Sequence, residues 1–191
     1  VLMEQIRRAL PKAVLVDAHD EFGTLRMIKT PQEIERLRGA VAAVEGAHRV
    51  VRESLREGMT ELELAAIAKK AVIDEQTDRY IVHACFGEKG ATVLAPTRRK
   101  LKKGELVLVD CGCVHRAYIG DMARTYAYGE PPRDAVRVHG AMDQVNAIIV
   151  ESVRPGLKAS ELYGIGAEAM KSGGLDLSLE FAGHGIGLDV H

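Results

Sequence analysis

Leu106-Val107-Leu108-Val109-Asp110-Cys111-Gly112-Cys113-Val114-His115-Arg116-Ala117-Tyr118-Ile119-Gly120-Asp121-Met122-Ala123-Arg124-Thr125-Tyr126 is the stretch whose reading decides the architecture. The apolar run 106–109 reads as a buried strand that ends at Asp110. Residues 121–126 read as the strand returning beside it, and the segment 111–120 is long enough for the chain to fold back as a hairpin. That pairing brings Asp110 and Asp121, eleven residues apart, to neighbouring positions on adjacent strands. Like charges so placed repel unless a proton or a metal ion compensates. Cys111 and Cys113 alternate with Asp110 along the strand and should point to the opposite face.

Working outward, the second marker is Gly183-His184-Gly185-Ile186-Gly187. It reads as a further strand in which glycines permit close backbone approach. Two carboxylates and a histidine are the donor types that a hydrolase with two hard or borderline metal ions requires.

Composition sets bounds on the rest. The chain of 191 residues carries Lys+Arg 26 against Asp+Glu 27, a net charge of −1, and is 47% hydrophobic. Such a chain buries a real core and has no global pull toward nucleic acid or an anionic membrane. No apolar stretch reaches the roughly 20 residues that span a bilayer. Three cysteines cannot all pair with one another, which argues against a disulfide framework and for a reducing, cytoplasmic setting. The chain begins Val1-Leu2-Met3, and both ends read as cut.

Residues 3–10 read as a short amphipathic helix stopped by Pro11, and residues 13–17 as a short strand. Thr30-Pro31-Gln32-Glu33 carries a cap, a first-turn proline and a capping-box glutamate. The helix it opens has Ile34, Leu37, Val41, Val44, His48, Val51 and Leu55 along one face, with His48 a core histidine, and stops at Gly58. Thr60-Glu61-Leu62-Glu63 is a second capping box, opening a helix faced by Leu64, Ile67, Ala68 and Ala71. A strand follows around residues 80–86. His115 and His139 read as surface residues, and the basic run 98–103 as a solvated turn.

The second half repeats the first. Glu53-Ser54-Leu55-Arg56-Glu57-Gly58-Met59 matches Glu151-Ser152-Val153-Arg154-Pro155-Gly156-Leu157 at an offset of 98, and the same offset carries Glu63-Leu64 onto Glu161-Leu162 and Gly87 onto Gly185. An internal duplication explains this, with each half supplying a helix pair followed by strands. At that offset, counterparts of Asp110 and Asp121 fall beyond His191, so the second half reads as incomplete.

Helix pair, carboxylate hairpin and Gly-His-Gly segment, repeated about a pseudo-twofold, resemble the pita-bread metallopeptidase family of methionine aminopeptidase, Xaa-Pro aminopeptidase and prolidase, with creatinase a metal-free relative. The resemblance runs from about Arg26 to His191 and is sharpest at 106–112, 120–125 and 183–191. It implies an α+β pita-bread fold, with residues 1–27 the remnant of an N-terminal domain and linker and 28–191 a catalytic domain truncated before its last strands. It implies that Asp110 is a bidentate ligand to one metal, Asp121 the carboxylate bridging both, His184 the imidazole ligand of the other, and His191 a catalytic, substrate-contacting histidine. The implied cofactors are two divalent ions (Mn, Co or Zn), completed in the family by two glutamates further along, so the 191-residue chain alone is expected to be inactive. The implied partners are a small peptide or amide substrate and a second copy in a homodimer, with no nucleic acid and no membrane. One departure stands out: the family usually has a histidine before the Pro-Thr of the loop, and residues 87–97 contain none. His83, upstream, is the candidate to replace it.

Two other classes share the fold. A creatinase-type amidinohydrolase works without metal and has lost the metal carboxylates, whereas Asp110 and Asp121 are present here. A silent binding module is favoured by the missing loop histidine and disfavoured by the intact Asp, Asp and His.

Overall fold

The computed structural model describes residues 2–91, 94–176 and 183–190. Its centre is an antiparallel sheet of β1 (Arg79–Phe86), β2 (Glu105–His115) and β3 (Tyr118–Tyr128), in the order β1-β2-β3. The helices α3 (Pro31–Ser54) and α4 (Glu61–Asp74) cover one face, with α3 on β2 and β3 and α4 on β1. Alternation along β2 does the sorting. Val107, Val109, Cys111 and Cys113 are buried toward the helices, while residues 106, 108, 110, 112 and 114 remain half-buried on the other face.

The core behind the sheet joins Ala40, Ala43, Val44, Ala47 and Val51 of α3 with Leu64, Ala65, Ala68 and Val72 of α4 and with Val82, Ala84 and Phe86 of β1. Each fully buried Val, Leu or Phe side chain contributes about 1.5–3 kcal/mol. Alanines dominate the α3 face, and this lets the helix lie close to the sheet. The expected apolar stripe begins too early, because Ile34 is exposed. The first turns of α3 are held instead by polar contacts, with the Tyr118 hydroxyl donating to Glu33 at 2.8 Å and Arg36 lying over the Tyr118 ring. His48 is a core histidine, as its position predicts, bonded to the Tyr126 hydroxyl at 2.7 Å and to the Met122 carbonyl at 3.0 Å.

Both capping boxes form, Thr30 with Glu33 and Thr60 with Glu63. The repeat seen in the sequence recurs in the bounds and ends of the helices. α4 and α6 (Ala159–Ser172) have bounds separated by 98 residues, and α3 and α5 (Arg133–Ser152) end 98 residues apart. Ser54 donates to the Val50 carbonyl and Ser152 to the Ile148 carbonyl, each at 2.7 Å. Gly58 and Gly156 follow with φ of 78° and 86°. These are left-handed conformations that glycine adopts without steric cost. α5 and α6 pack on each other around Val145, Ile149, Met170 and Leu175, a cluster separate from the main core.

Two expectations need correction. Residues 13–17 form no strand, because nothing among the described residues pairs with them: Val14 and Val16 are exposed, and an isolated strand leaves its backbone groups unbonded. The helices α1 (Leu2–Ala9) and α2 (His19–Met27) flank them, the second without a clear periodic signal, and neither buries a residue. His115 is not a surface residue either. Its ring sits against Gly39, where a Cβ would stand 3.0 Å from the imidazole Cδ2, and its Nδ1 is buried without a hydrogen-bond partner among the described residues.

Candidate metal centre

The site is built from register. Asp110 of β2 pairs with Ala123, and Gly112 pairs with Asp121 of β3. Asp121 thus stands diagonally across from Asp110 on the same face, the one that α3 and α4 leave uncovered. Gly112 carries no side chain between them; a Cβ there would lie 3.6 Å from Asp121 Oδ1. The hairpin turn that sets this register is Arg116-Ala117, where both residues take positive φ (50° and 71°). Two non-glycine residues in that region resemble the turn that best matches strand twist.

The electrostatics record the crowding. Burial and then the nearby Asp121 charge raise the pKa of Asp110 above the usual aspartate value, and His83 partly offsets this. A carboxylate in this position is short of positive charge, which a divalent cation would supply.

His184 comes to the Asp121 side. Its Nε2 lies 3.6 Å from Asp121 Oδ2, and its Nδ1 is 3.0 Å from the Gly185 carbonyl. A carbonyl only accepts, so Nδ1 carries a proton, and Nε2 is the ring nitrogen nearer the carboxylate. That arrangement is the one by which metal-binding histidines fix their tautomer. Two donors of one ion, each about 2.0–2.2 Å from it, stand about 3–3.6 Å apart, which the Asp121–His184 spacing matches at its wide end. The donor chemistry therefore fits a divalent ion. Among the described residues, however, no three His, Cys, Asp or Glu side chains lie close enough to hold one unaided.

The segment carrying His184 was expected to be a strand with glycines at close backbone contacts. Residues 183–190 form no regular strand; one hydrogen bond, from Ile119 N–H to the Gly187 carbonyl at 2.9 Å, fastens them to β3. A Cβ on Gly183 or Gly185 would meet nothing within 4 Å. Conformation, in contrast, does require Gly183, whose φ is +153°. An Arg26–Asp189 ion pair fastens the same segment to α2. His191 lies outside the described residues.

Cys111 and Cys113 face the helices, away from the carboxylates, as alternation predicts. Burial pushes their thiols up to about 12 and about 11, so both are inert at neutral pH.

Two residues of the supporting structure escape a reading of the sequence. Glu61 is fully buried and accepts from Phe86 N–H (2.9 Å), Thr97 N–H (2.9 Å) and the Thr97 hydroxyl (2.6 Å). It fixes the end of β1 and the loop after it, yet in the sequence it looks like any first-turn acid. Arg99, within the basic run, is held by a two-pronged bond to Glu105 at 3.0 and 2.7 Å, and neighbouring Leu101 is buried. The run is therefore a fastened loop rather than a freely solvated turn. A cleft of about 770 Å³ lies between α5 and α6, away from the carboxylates. No described helix is long and apolar enough to cross a membrane.

Comparison with known proteins bears on the family and the fold. The model of metallopeptidase family M24 matches residues 35–191. The Xaa-Pro dipeptidase of Lactobacillus helveticus is 32% identical over 197 residues, covering 98% of this chain and 53% of that protein. Among solved structures, the dipeptidase PepE from Mycobacterium ulcerans superposes with a TM-score of 0.87 at 31% identity, over 98% of this chain and 51% of that one. The X-Pro aminopeptidase from Thermotoga maritima MSB8 gives 0.89 at 25% identity, over 100% and 55%. The chain spans about half the length of the curated relatives it matches.

Proposed function

Because this chain belongs to metallopeptidase family M24 and has its α+β pita-bread fold, we propose that the full-length protein is a metal-dependent peptidase of the Xaa-Pro dipeptidase type, cleaving a short peptide or small amide. The observation that carries this reading is the row Asp110, Asp121, His184 on one face of the sheet, with the His184 Nε2 3.6 Å from an Asp121 carboxylate oxygen. Asp110, Asp121 and His184 would be the residues of this chain that hold two divalent ions, manganese, cobalt or zinc. Such ions, when bound, supply the polarisation of a carbonyl and the activation of a water.

The chain's own residues do the positioning. The β2–β3 ladder fixes both carboxylates without loop freedom, which keeps their charges together at the cost of the repulsion seen at Asp110. The Gly185 carbonyl holds the His184 tautomer. Glu61 pins the loop after β1 at the edge of the site. His191 is assigned substrate contact on the family resemblance alone. Residues 28–191 form the catalytic unit in this reading and 1–27 a segment outside it, supported by the absence of any buried residue in α1 and α2. The three buried free thiols support a reducing cytoplasmic setting, and a homodimer remains part of the proposal.

Hydrolysis of alanyl-proline by the full-length protein, with and without added Mn²⁺ and after chelation, tests the reading. Metal-dependent release of proline that is lost in Asp121→Asn is expected. Activity that survives both chelation and the substitution would favour a metal-free, creatinase-like hydrolase instead.

A further inference from the structure

The segment that carries His184 is fastened three residues beyond the histidine. A Cβ on Gly183 or Gly185 would meet nothing within 4 Å among the described residues, whereas Gly187 is buried. Two backbone hydrogen bonds meet at Gly187. Ile119 N–H donates to its carbonyl at 2.9 Å, and its own N–H donates to the Asp189 carbonyl at 3.1 Å, so residues 187–189 form a closed loop tied to β3. A cleft of about 580 Å³ opens between residues 188–190 and Arg79, Val114, Ala117 and Ile119 of the sheet and its hairpin turn. Close packing on the sheet therefore does not hold that loop. A further hold comes from α2 and the linker after it. Arg26 pairs with the Asp189 carboxylate, and the Lys29 Cε lies 3.5 Å from where a Gly187 Cβ would stand. Neither α1 nor α2 buries a residue, so Arg26 serves no core of its own.

We propose that Arg26 is a positioning residue for the metal centre: by gripping Asp189 it steadies the loop that keeps the His184 imidazole beside Asp121. The proposal rests on the metal-dependent reading above. The path is short. Arg26 holds Asp189, the Asp189 carbonyl holds Gly187, Gly187 is bonded to Ile119, and Ile119 stands two residues before Asp121 on β3. Between His184 and Gly187 lies Gly185, a residue with wide conformational freedom, so slack at 187–189 reaches the imidazole. A ligand that wanders must be ordered when an ion binds, and that entropy cost lowers affinity. Exposure bounds the effect. The Arg26 and Asp189 side chains are 44% and 64% exposed, and an ion pair in that setting changes an equilibrium constant by about two- to fivefold. The segment 1–27, although outside the core, then takes part in setting metal affinity.

The test uses the full-length protein and a double-mutant cycle of Arg26→Ala and Asp189→Asn, together with the reversed pair Arg26→Asp/Asp189→Arg. Mn²⁺ affinity is measured by calorimetry, amide exchange of Ile119 on the chelated protein, and global stability by denaturant titration. Each single variant is expected to weaken Mn²⁺ binding about two- to fivefold and to speed exchange at Ile119, with the denaturant midpoint unchanged. The double variant should be no weaker than either single, and the reversed pair should recover most of the loss. In about 1 M salt, which screens an exposed pair, wild type and Arg26→Ala should converge. Independent, multiplying effects of the two substitutions would overturn the proposal, as would a lowered denaturant midpoint that accounts for the loss. Single variants with wild-type exchange and wild-type Mn²⁺ affinity would sink it and leave the metal reading standing. Wild-type protein that binds no Mn²⁺, while Arg26→Ala still speeds exchange at Ile119, would sink the metal reading and keep the grip on the loop.

Discussion

Gly120 of β3 lies so close to Ala40 of α3 that a Cβ on the glycine would overlap the Ala40 carbonyl. This contact sets the height of β3 over the helix one residue before Asp121. Both sides of it are backbone, so neither can move aside alone. Gly120→Ala is therefore expected to destabilise the protein by about 2–3 kcal/mol and to displace Asp121. Gly112→Ala is the control, since its Cβ would meet only ordinary contacts at 3.5 and 3.6 Å. Denaturant titration of the two variants checks the difference; equal stabilities would show that β3 can shift freely.

Glu61 accepts three hydrogen bonds in the interior. Removing it strands two backbone N–H groups, those of Phe86 and Thr97. Glu61→Ala should cost about 3 kcal/mol or more, and Glu61→Gln less because one amide oxygen remains. Amide exchange at Phe86 and Thr97 should accelerate in the alanine variant. Unchanged exchange at both would rule out the role given to Glu61.

His48 has its pKa lowered, chiefly by burial and further by Arg124, against the opposing bond to the Met122 carbonyl. A histidine whose folded pKa lies below its unfolded value near 6.5 favours the folded state while neutral. Its stability contribution is full above about pH 6.5 and declines as the pH falls through the folded value. The melting temperature should therefore drop between pH 7.5 and pH 5, and His48→Phe should flatten that part of the profile. Parallel profiles for wild type and variant would contradict this.

Asp110 behaves in the opposite sense. Burial and Asp121 raise its pKa, so its charged form opposes folding in the metal-free protein. That penalty is present above the folded pKa and is relieved as the pH falls through it. Asp110→Asn should raise the melting temperature of the metal-free protein at pH 7 while weakening Mn²⁺ binding by about a hundredfold or more. Asp121→Asn should weaken binding at least as much. Calorimetry and thermal melts with and without chelator separate the two effects; a variant that lost stability and kept its metal would contradict both.

The 191-residue chain by itself should bind Mn²⁺ weakly and should not turn over alanyl-proline, because no three described donors close around one ion. Metal-dependent hydrolysis by this chain alone would show that its ligand set is larger than Asp110, Asp121 and His184.

Much of the fold was legible in the sequence because its signals are local. Capping boxes at Thr30 and Thr60 depend on residues within a turn of each other, and the offset of 98 is read by laying one half of the chain on the other; the stop expected at Gly58 comes four residues earlier, at Ser54, with Gly58 in the turn that follows. Period-two alternation in β2 likewise told the Asp110 face from the Cys111 face. The errors arose where a local pattern lacked a partner or had an unexpected one. Residues 13–17 have strand composition and nothing to pair with, and His115 sits in a space that Gly39 leaves open.

The sequence by itself determined the capped starts of α3 and α4, the carboxylate hairpin and the donor types, since propensity, capping and alternation act along the chain. Only the tertiary structure decided which residues meet across it. The β1–β2 register placed His83 opposite Asp110, the Ile119–Gly187 hydrogen bond brought His184 beside Asp121, and buried Glu61 tied α4 to Thr97. Those pairings span from 27 to 68 residues of sequence. They are set by sheet register and packing, which no short-range pattern encodes.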